Sequence, residues 1–200
     1  MFKKWILFLG LGSTMLGCQH LEKSPSPSSS GITDLEEPLT ALIQNMYKWK
    51  ETQAKQGDFI PKEDPSSDLY VGLDVEEHQR RISELEQSGF FSPIFLERYH
   101  AQAIQIHTAL LEGQTEWQVG YRSPFVNGTD PWCQCQDTPE NYWEKIKIVE
   151  MRSEGDSIRI LWSWGDNFTY LMRAEHTQNG IKIRYMEGLD SLQQPVSSTY

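Results

Sequence analysis

The amino-acid sequence predicts an α+β domain in which N-terminal helices pack on a curved antiparallel meander of about four strands. Two patterns carry this prediction. In the first half of the chain, apolar residues recur at spacings of three and four, which indicates amphipathic helices. After Trp143 they alternate with polar residues, and glycine-containing turns separate the alternating runs. Because such a sheet has one apolar face, the helices are expected to cover that face.

The chain begins with the pattern of a secretory signal. Lys3 and Lys4 precede an apolar run at residues 5–12, which is too short for a helix that crosses about 30 Å of hydrocarbon. The segment Met15-Leu16-Gly17-Cys18 then resembles the lipobox of bacterial lipoproteins. An ordinary secretory signal and an uncleaved anchor are the alternatives.

The lipobox resemblance implies that residues 1–17 are a signal peptide and that Cys18 becomes the lipidated first residue. Gln19 follows in place of aspartate, and by similarity to enterobacterial sorting this implies the outer membrane, with the domain facing the periplasm. Residues 18–34 include a proline- and serine-rich stretch that is expected to act as a disordered tether.

The charge of the chain excludes some partners. The net charge is −10, and removing Lys3 and Lys4 with the signal makes it −12. A chain this acidic does not neutralise phosphates, so nucleic acid and anionic lipid head groups are poor partners. The remaining length fits a single domain at residues 35–190, with residues 191–200 as a flexible tail.

The first helix is predicted to begin near Glu37-Pro38, where proline fits an early helical position. It is expected to run to about Gln56, before Gly57, with an apolar face formed by Leu39, Leu42, Ile43, Met46 and Tyr47. Trp49 lies outside this face. We expect it to cover an edge of the core, with ligand stacking as the alternative.

Two further helices carry signals at their ends. Asp74 followed by Glu77 has the form of a capping box, and Gly89 is expected to end the helix that Asp74 opens. Ser92-Pro93 opens the longest predicted helix, which Gly113 ends. This last helix is expected to lie centrally against the sheet.

His100 and His107 are the residues of the longest helix that bear on metal binding. They are seven positions apart and therefore two turns from each other on one face. Two histidines of one helix that share an ion usually lie about four positions apart. We therefore expect packed or exposed imidazoles, and no metal ion or cofactor is predicted for the chain.

Residues 114–143 form a long connection rich in aromatic residues, glycine and proline. Long connections are frequent places for binding residues. One hypothesis is therefore a binding surface formed by Trp117, Tyr121, Asp130, Trp132 and Asp137. The alternative is that the aromatic residues plug one end of the sheet.

Cys133 and Cys135 lie within this connection, separated by one residue. If Cys18 carries lipid, they are an even pair in an exported domain, where disulfides persist. A structural disulfide, two separately packed thiols, a redox pair and a metal site are the four hypotheses. The neighbouring Asp130 and Asp137 disfavour the low-pKa thiolate that redox catalysis needs, and zinc would need two more ligands.

Alternation and turn residues predict the four strands. The first starts at Ile146 and Ile148 and is expected to bulge at Val149 before a turn at residues 153–156. The other three strands are marked by Ile158, Ile160, Trp162 and Trp164, then Phe168, Tyr170, Met172 and Ala174, and finally Ile181, Ile183 and Tyr185.

Three segments together resemble a known family. They are the Leu42-to-Trp49 helix, the Asp-Pro-x-Cys-x-Cys-Gln-Asp-x-Pro motif at residues 130–139, and the terminal meander. These resemble bacterial envelope domains of unknown function with the nuclear transport factor 2-like, or cystatin-like, fold. The resemblance implies a cone-like sheet. It implies no catalytic set, because Asp130 and His107, the nearest candidates, have no motif in common.

The function that these features favour is a non-catalytic binding or inhibitor module at the cell envelope. Its lipid anchor would hold it on the membrane, and its acidic surface would attract a basic envelope protein, such as a cell-wall enzyme or a toxin. The alternatives are an enzyme that binds a small molecule in the cone and a structural envelope protein. A cone cavity filled by Trp162 or Trp164 would count against the enzyme.

Overall fold

Helices precede the sheet in the computed structural model, which describes residues 34–126 and 129–190. Helix α1 spans Glu36–Thr52, α2 spans Val75–Ser88 and α3 spans Pro93–Leu111. A 3-10 helix follows at Tyr142–Lys145, and a short helix α4 at Glu187–Asp190 ends the described chain. The predicted signal peptide, Cys18, most of the tether and the tail lie outside the described residues.

The predicted first cap and glycine end of α2 are confirmed. The Asp74 carboxylate accepts from the N–H groups of Glu76 and Glu77, each at 3.0 Å. Gly89 ends α2 in the left-handed conformation at φ +73°. Asp74 donates its own N–H to the carbonyl of Ile60, however, so Glu77 does not complete a capping box.

Helix α3 begins as its sequence predicts, with Ser92 accepting from the N–H of Phe95 and Pro93 in the first turn. Helix α1 ends earlier than predicted, at Thr52 instead of about Gln56. The physical reason for the earlier end is a contact with α2. The Glu84 carboxylate accepts the N–H groups of Lys55 and Gln56, which in a longer helix would bond to helical carbonyls.

The sheet is a four-stranded antiparallel meander in the order β1-β2-β3-β4. The strands are β1 at Lys147–Glu154, β2 at Ser157–Ser163, β3 at Tyr170–Thr177 and β4 at Gly180–Met186. The register shifts between Ile148 and Glu150, which confirms the bulge predicted at Val149. The third strand begins later than predicted, because Phe168 lies exposed in the preceding turn.

The core lies between the inner face of the sheet and the helices. Ile160, Met172 and Ile183 point from three strands into this layer and are fully or almost fully buried. Leu39, Ile43 and Met46 reach it from α1, and Phe95 and Ala103 from α3. The predicted α+β architecture, with helices before the strands, is therefore confirmed.

Helix α4 is absent from the sequence prediction. It packs against the segment that carries the two cysteines, because a side chain added at Gly188 would meet the carbonyl of Pro131. Leu189 of the same helix is buried in the core. A four-residue helix has no periodicity to recognise, so its position is known only from the packing.

Candidate functional site

The segment around Asp130 and the cysteines forms a tight turn. The N–H of Asp130 donates to the carbonyl of Cys135 at 2.8 Å, and the Asp130 carbonyl accepts from Cys133 and Gln134. The sulfur atoms of Cys133 and Cys135 lie 1.99 Å apart, at bonding distance. Of the four hypotheses for the two cysteines, this geometry agrees with the structural disulfide.

Trp132 lies inside the domain, which corrects its assignment to a binding surface. Its side chain is 3 % exposed, and its indole N–H donates to the Asp58 carboxylate at 2.6 Å. Its carbonyl accepts from the hydroxyl of Tyr47. Because the ring and both polar groups are occupied, Trp132 serves as an anchor for the turn and offers no open area to a partner.

Trp117 is also buried, at 8 % exposure, and its indole N–H donates to the carbonyl of Tyr121. It packs edge-on against Tyr70, so Trp117 is buried among loop residues, as Trp132 is buried beside Asp58. Tyr121, at 70 % exposure, and Asp137 do face solvent. Asp130 is half-buried, and Lys50 pairs with its carboxylate at 2.8 Å.

Arg81 is a buried cation that the sequence does not reveal. Its side chain is 2 % exposed and pairs with Asp58 and Glu84, each at 2.8 Å. Its guanidinium also lies 5.7 Å from the Trp49 ring centre and 5.3 Å from that of Trp132. Burial lowers the pKa of Arg81, but the two carboxylates outweigh it, and the guanidinium stays charged.

Asp58 is the acceptor at the centre of this cluster. One of its carboxylate oxygens accepts from Arg81 and from the Tyr99 hydroxyl at 2.7 Å, and the other accepts from Trp132. Burial raises the pKa of the Tyr99 hydroxyl well above its ordinary value. The cluster therefore holds α2, α3 and the cysteine turn together with every charge paired, as a buried ionic group requires.

A small cavity lies beneath the sheet. The cavity between Tyr47, Trp132, Trp162 and Tyr170 has a volume of about 10 Å³, which is room for one water molecule. Trp162 is fully buried there, and Trp164 packs beside it with ring centres 5.5 Å apart. At this position beneath the sheet, the rings leave room for no more than a water molecule.

A groove between α2 and α3 is open instead. We call it the α2–α3 groove; its volume is about 120 Å³ and it is lined by Leu73, Val75, His78, His100, Ala103, Ile104 and His107. Val75 and Ile104 are more than half exposed at its rim. Leu111, at 61 % exposure, continues the same face of α3 two turns beyond Ile104.

Three histidines form part of this groove. A ring nitrogen of His78 lies 2.9 Å from one of His100, and His107 accepts the N–H of Leu73 at 3.0 Å. The other ring nitrogen of His78 is buried and has no partner among the described residues. Burial and the neighbouring His100 lower the pKa of His78, so the groove favours a neutral imidazole.

Several residues next to the residues of the α2–α3 groove in the chain are acidic. Asp74 stands between two of its lining residues in the chain, Glu97 precedes His100 by one turn, and Glu112 follows Leu111. Glu76 is exposed in the first turn of α2, where Arg80 pairs with it at 3.7 Å. The groove itself is apolar, and its lining residues have acidic neighbours in the chain.

Two properties follow from the described part of the chain. Among those residues, no three histidine, cysteine, aspartate or glutamate side chains are placed to hold a metal ion. None of the described helices is long and apolar enough to cross a bilayer.

Comparison with protein-family models, curated proteins and solved structures gives no match to this chain.

Proposed function

We propose that this chain is a lipid-anchored envelope protein whose domain is a non-catalytic binding module for a basic, amphipathic segment of another envelope protein. The observation that carries the proposal is the α2–α3 groove, an apolar cleft whose lining residues have acidic neighbours in the chain. The resemblance of the sequence to nuclear transport factor 2-like envelope domains is part of this proposal, and among those domains this chain would be a binding member.

The shape of the groove fits one large apolar side chain. Engineered apolar cavities of about 150 Å³ accept benzene, so about 120 Å³ suits a leucine or phenylalanine side chain of a partner. Ile104 and Leu111 would contact the flanking apolar residues of the same segment. Central apolar anchors with a polar rim are the usual arrangement at protein interfaces.

The negative charge of the protein favours a partner segment with a positive charge. Asp74, Glu97 and Glu112 would face lysine or arginine side chains beside the apolar anchor, and the negative net charge of the chain would speed the encounter. A segment with acidic flanks would meet repulsion at the same positions. If the partner is an enzyme or toxin, occupation of its basic segment would inhibit it.

The test uses residues 19–200, which contain every helix and strand of the structure, and a helical leucine–lysine peptide as the probe. Calorimetry should detect binding that weakens as salt increases, whereas a leucine–glutamate peptide should not bind. Ile104→Ser with Leu111→Ser should lower the affinity at least tenfold, about 1.4 kcal/mol. Val149→Ser, an equally exposed aliphatic position on the sheet, is the matched control. Equal losses in both variants would refute the groove as the site.

A further inference from the structure

A second groove, between α1 and α2, has a different chemical character. It has a volume of about 590 Å³, within the range of small-molecule sites. Asn45, Lys48, Trp49 and Gln53 line it from α1 and its C-terminal end, and Gln87 and Phe90 line it from α2 and the residues that follow. We call it the α1–α2 groove.

The floor of this groove is aromatic and rigid. Trp49 and Phe90 pack with their ring centres 5.9 Å apart. Trp49 itself is 9 % exposed and lies against the Arg81 guanidinium, so it supports Phe90 from the interior. Phe90 is half-buried and leaves part of its ring open to the groove.

The walls carry amides that the protein itself does not use. Asn45, Gln53 and Gln87 are exposed, and none of their side chains makes a hydrogen bond with the described residues. Each amide offers two N–H donors and one carbonyl acceptor. Lys48 adds one exposed cation. The walls therefore present donors and acceptors in close alternation around a flat apolar floor.

We propose that the α1–α2 groove binds a short saccharide chain. Sugar hydroxyls both donate and accept, as the amides require, and the C–H face of a sugar ring matches the open part of the Phe90 ring. An apolar ligand would leave the three amides unpaired, at a cost for each. A phosphate ligand would meet only Lys48 and would lie near the Glu84 carboxylate.

The groove is built to bind a saccharide without cleaving it. Glycoside hydrolysis requires two carboxyl groups, one of which serves as a general acid. Glu84 is the carboxylate of the groove, and it accepts from Lys55, Gln56 and Arg81. Burial raises the pKa of Glu84, but these hydrogen bonds outweigh it and hold the pKa below its ordinary value. Glu84 therefore stays ionised and holds no proton to donate.

The experiment is calorimetric titration of the full-length protein, in a detergent without a sugar head group, with a trimer of N-acetylglucosamine and with maltotriose. Binding of at least one of them with a dissociation constant below about 1 mM is the expected result. Gln53→Ala combined with Gln87→Ala should weaken it at least tenfold. Gln178→Ala, an exposed amide in the turn after β3, should leave it unchanged.

Absence of heat with both saccharides at 10-fold higher concentration, about 10 mM, would overturn the proposal. So would an equal loss in the Gln178→Ala variant, because binding would then not depend on the groove. The outcome is separate from the proposed protein-binding function. The Gln53 and Gln87 substitutions lie outside the α2–α3 groove, so they should leave binding of the leucine–lysine peptide intact.

Discussion

Arg81 is charged in the interior of the domain, which makes it the most informative single residue for stability. Its neighbour Arg80 is half-exposed and pairs with Glu77 at 2.6 Å, an arrangement that contributes little. The two arginines are adjacent in the chain and chemically identical. Comparison of the two positions therefore separates the effect of burial from the effect of charge.

Replacement of Arg81 by methionine should lower the free energy of unfolding by about 3–5 kcal/mol, because Asp58 and Glu84 would remain half-buried without their cation. Arg80→Met should cost less than about 1 kcal/mol. Urea unfolding followed by tryptophan fluorescence measures both values. Similar losses at the two positions would mean that the Asp58–Arg81–Glu84 cluster does not exist in solution.

His78 makes stability depend on pH. It faces His100 and Tyr99 of α3, and its pKa is below the ordinary value of about 6.5 because of burial and His100. The unfolded chain therefore binds more protons than the folded one as the pH falls through that value. The free energy of unfolding should decrease on acidification and level off below the lowered pKa.

The measurement is the free energy of unfolding at several values between about pH 5 and 7, the range in which histidine titrates. The His78→Gln variant should show a smaller slope than the unchanged protein. His176→Gln, at an exposed position of β3, should retain the full slope. A slope that persists in His78→Gln would assign the pH dependence to another group.

At the scale of elements, the turn at residues 130–135 joins α1, α4 and the buried cluster. Oxidation of Cys133 and Cys135 should appear as a chain two hydrogen atoms lighter than the reduced one, with alkylation only after reduction. The loop-entropy model gives a disulfide across one residue about 1.6 kcal/mol of stabilisation. The Cys133→Ser, Cys135→Ser double variant should therefore lose about that amount in urea unfolding. Two thiols that alkylate without reductant would contradict the disulfide.

Helix α2 contributes to both proposed sites. Its first two turns supply Val75 and His78 to the α2–α3 groove, and its last two supply Glu84 and Gln87 to the α1–α2 groove. Arg81 lies between these two sets and fixes the helix to Trp49 and Trp132. The buried cluster thus positions both grooves through one element.

The elements that the sequence predicts best are those with local signals. The bulge at Val149, the caps Asp74 and Ser92, and the glycine end of α2 all depend on residues a few positions apart. The burial of Trp132 depends on Asp58, which is 74 positions away. Alternation and caps carry no information about such a pair, so the sequence leaves a surface position and a buried one open for Trp132 and Trp117.

The sequence does not reveal the two grooves either, because each is formed by residues that are far apart in the chain. His78 and His100 are 22 positions apart, and their contact arises only because α2 and α3 pack side by side. His107 was recognised as a member of the His100 face, but its partner is the Leu73 backbone, which no side-chain pattern identifies. Asn45, Gln53 and Gln87 resemble ordinary surface amides until the helices bring them to one cleft.

At the scale of the whole molecule, the proposed function requires that the domain stays at the membrane. The apolar groove and the acidic surface give the domain no affinity for an anionic bilayer, since like charges repel. Under the proposed function, membrane residence would come from the lipid predicted on Cys18. Attachment of more than one acyl chain is what makes such anchoring stable.

Substitution of Cys18 by serine should therefore abolish incorporation of labelled palmitate and move the protein from the membrane fraction to the soluble fraction, or block its maturation. The double variant Cys133→Ser, Cys135→Ser is the control: it removes the other two cysteines of the chain and should keep both the label and the membrane fraction. Label that remains after Cys18→Ser would place the lipid elsewhere. Membrane association that remains without label would mean that residues 1–17 act as an uncleaved anchor, and the domain would then be held at the bilayer by protein instead of lipid.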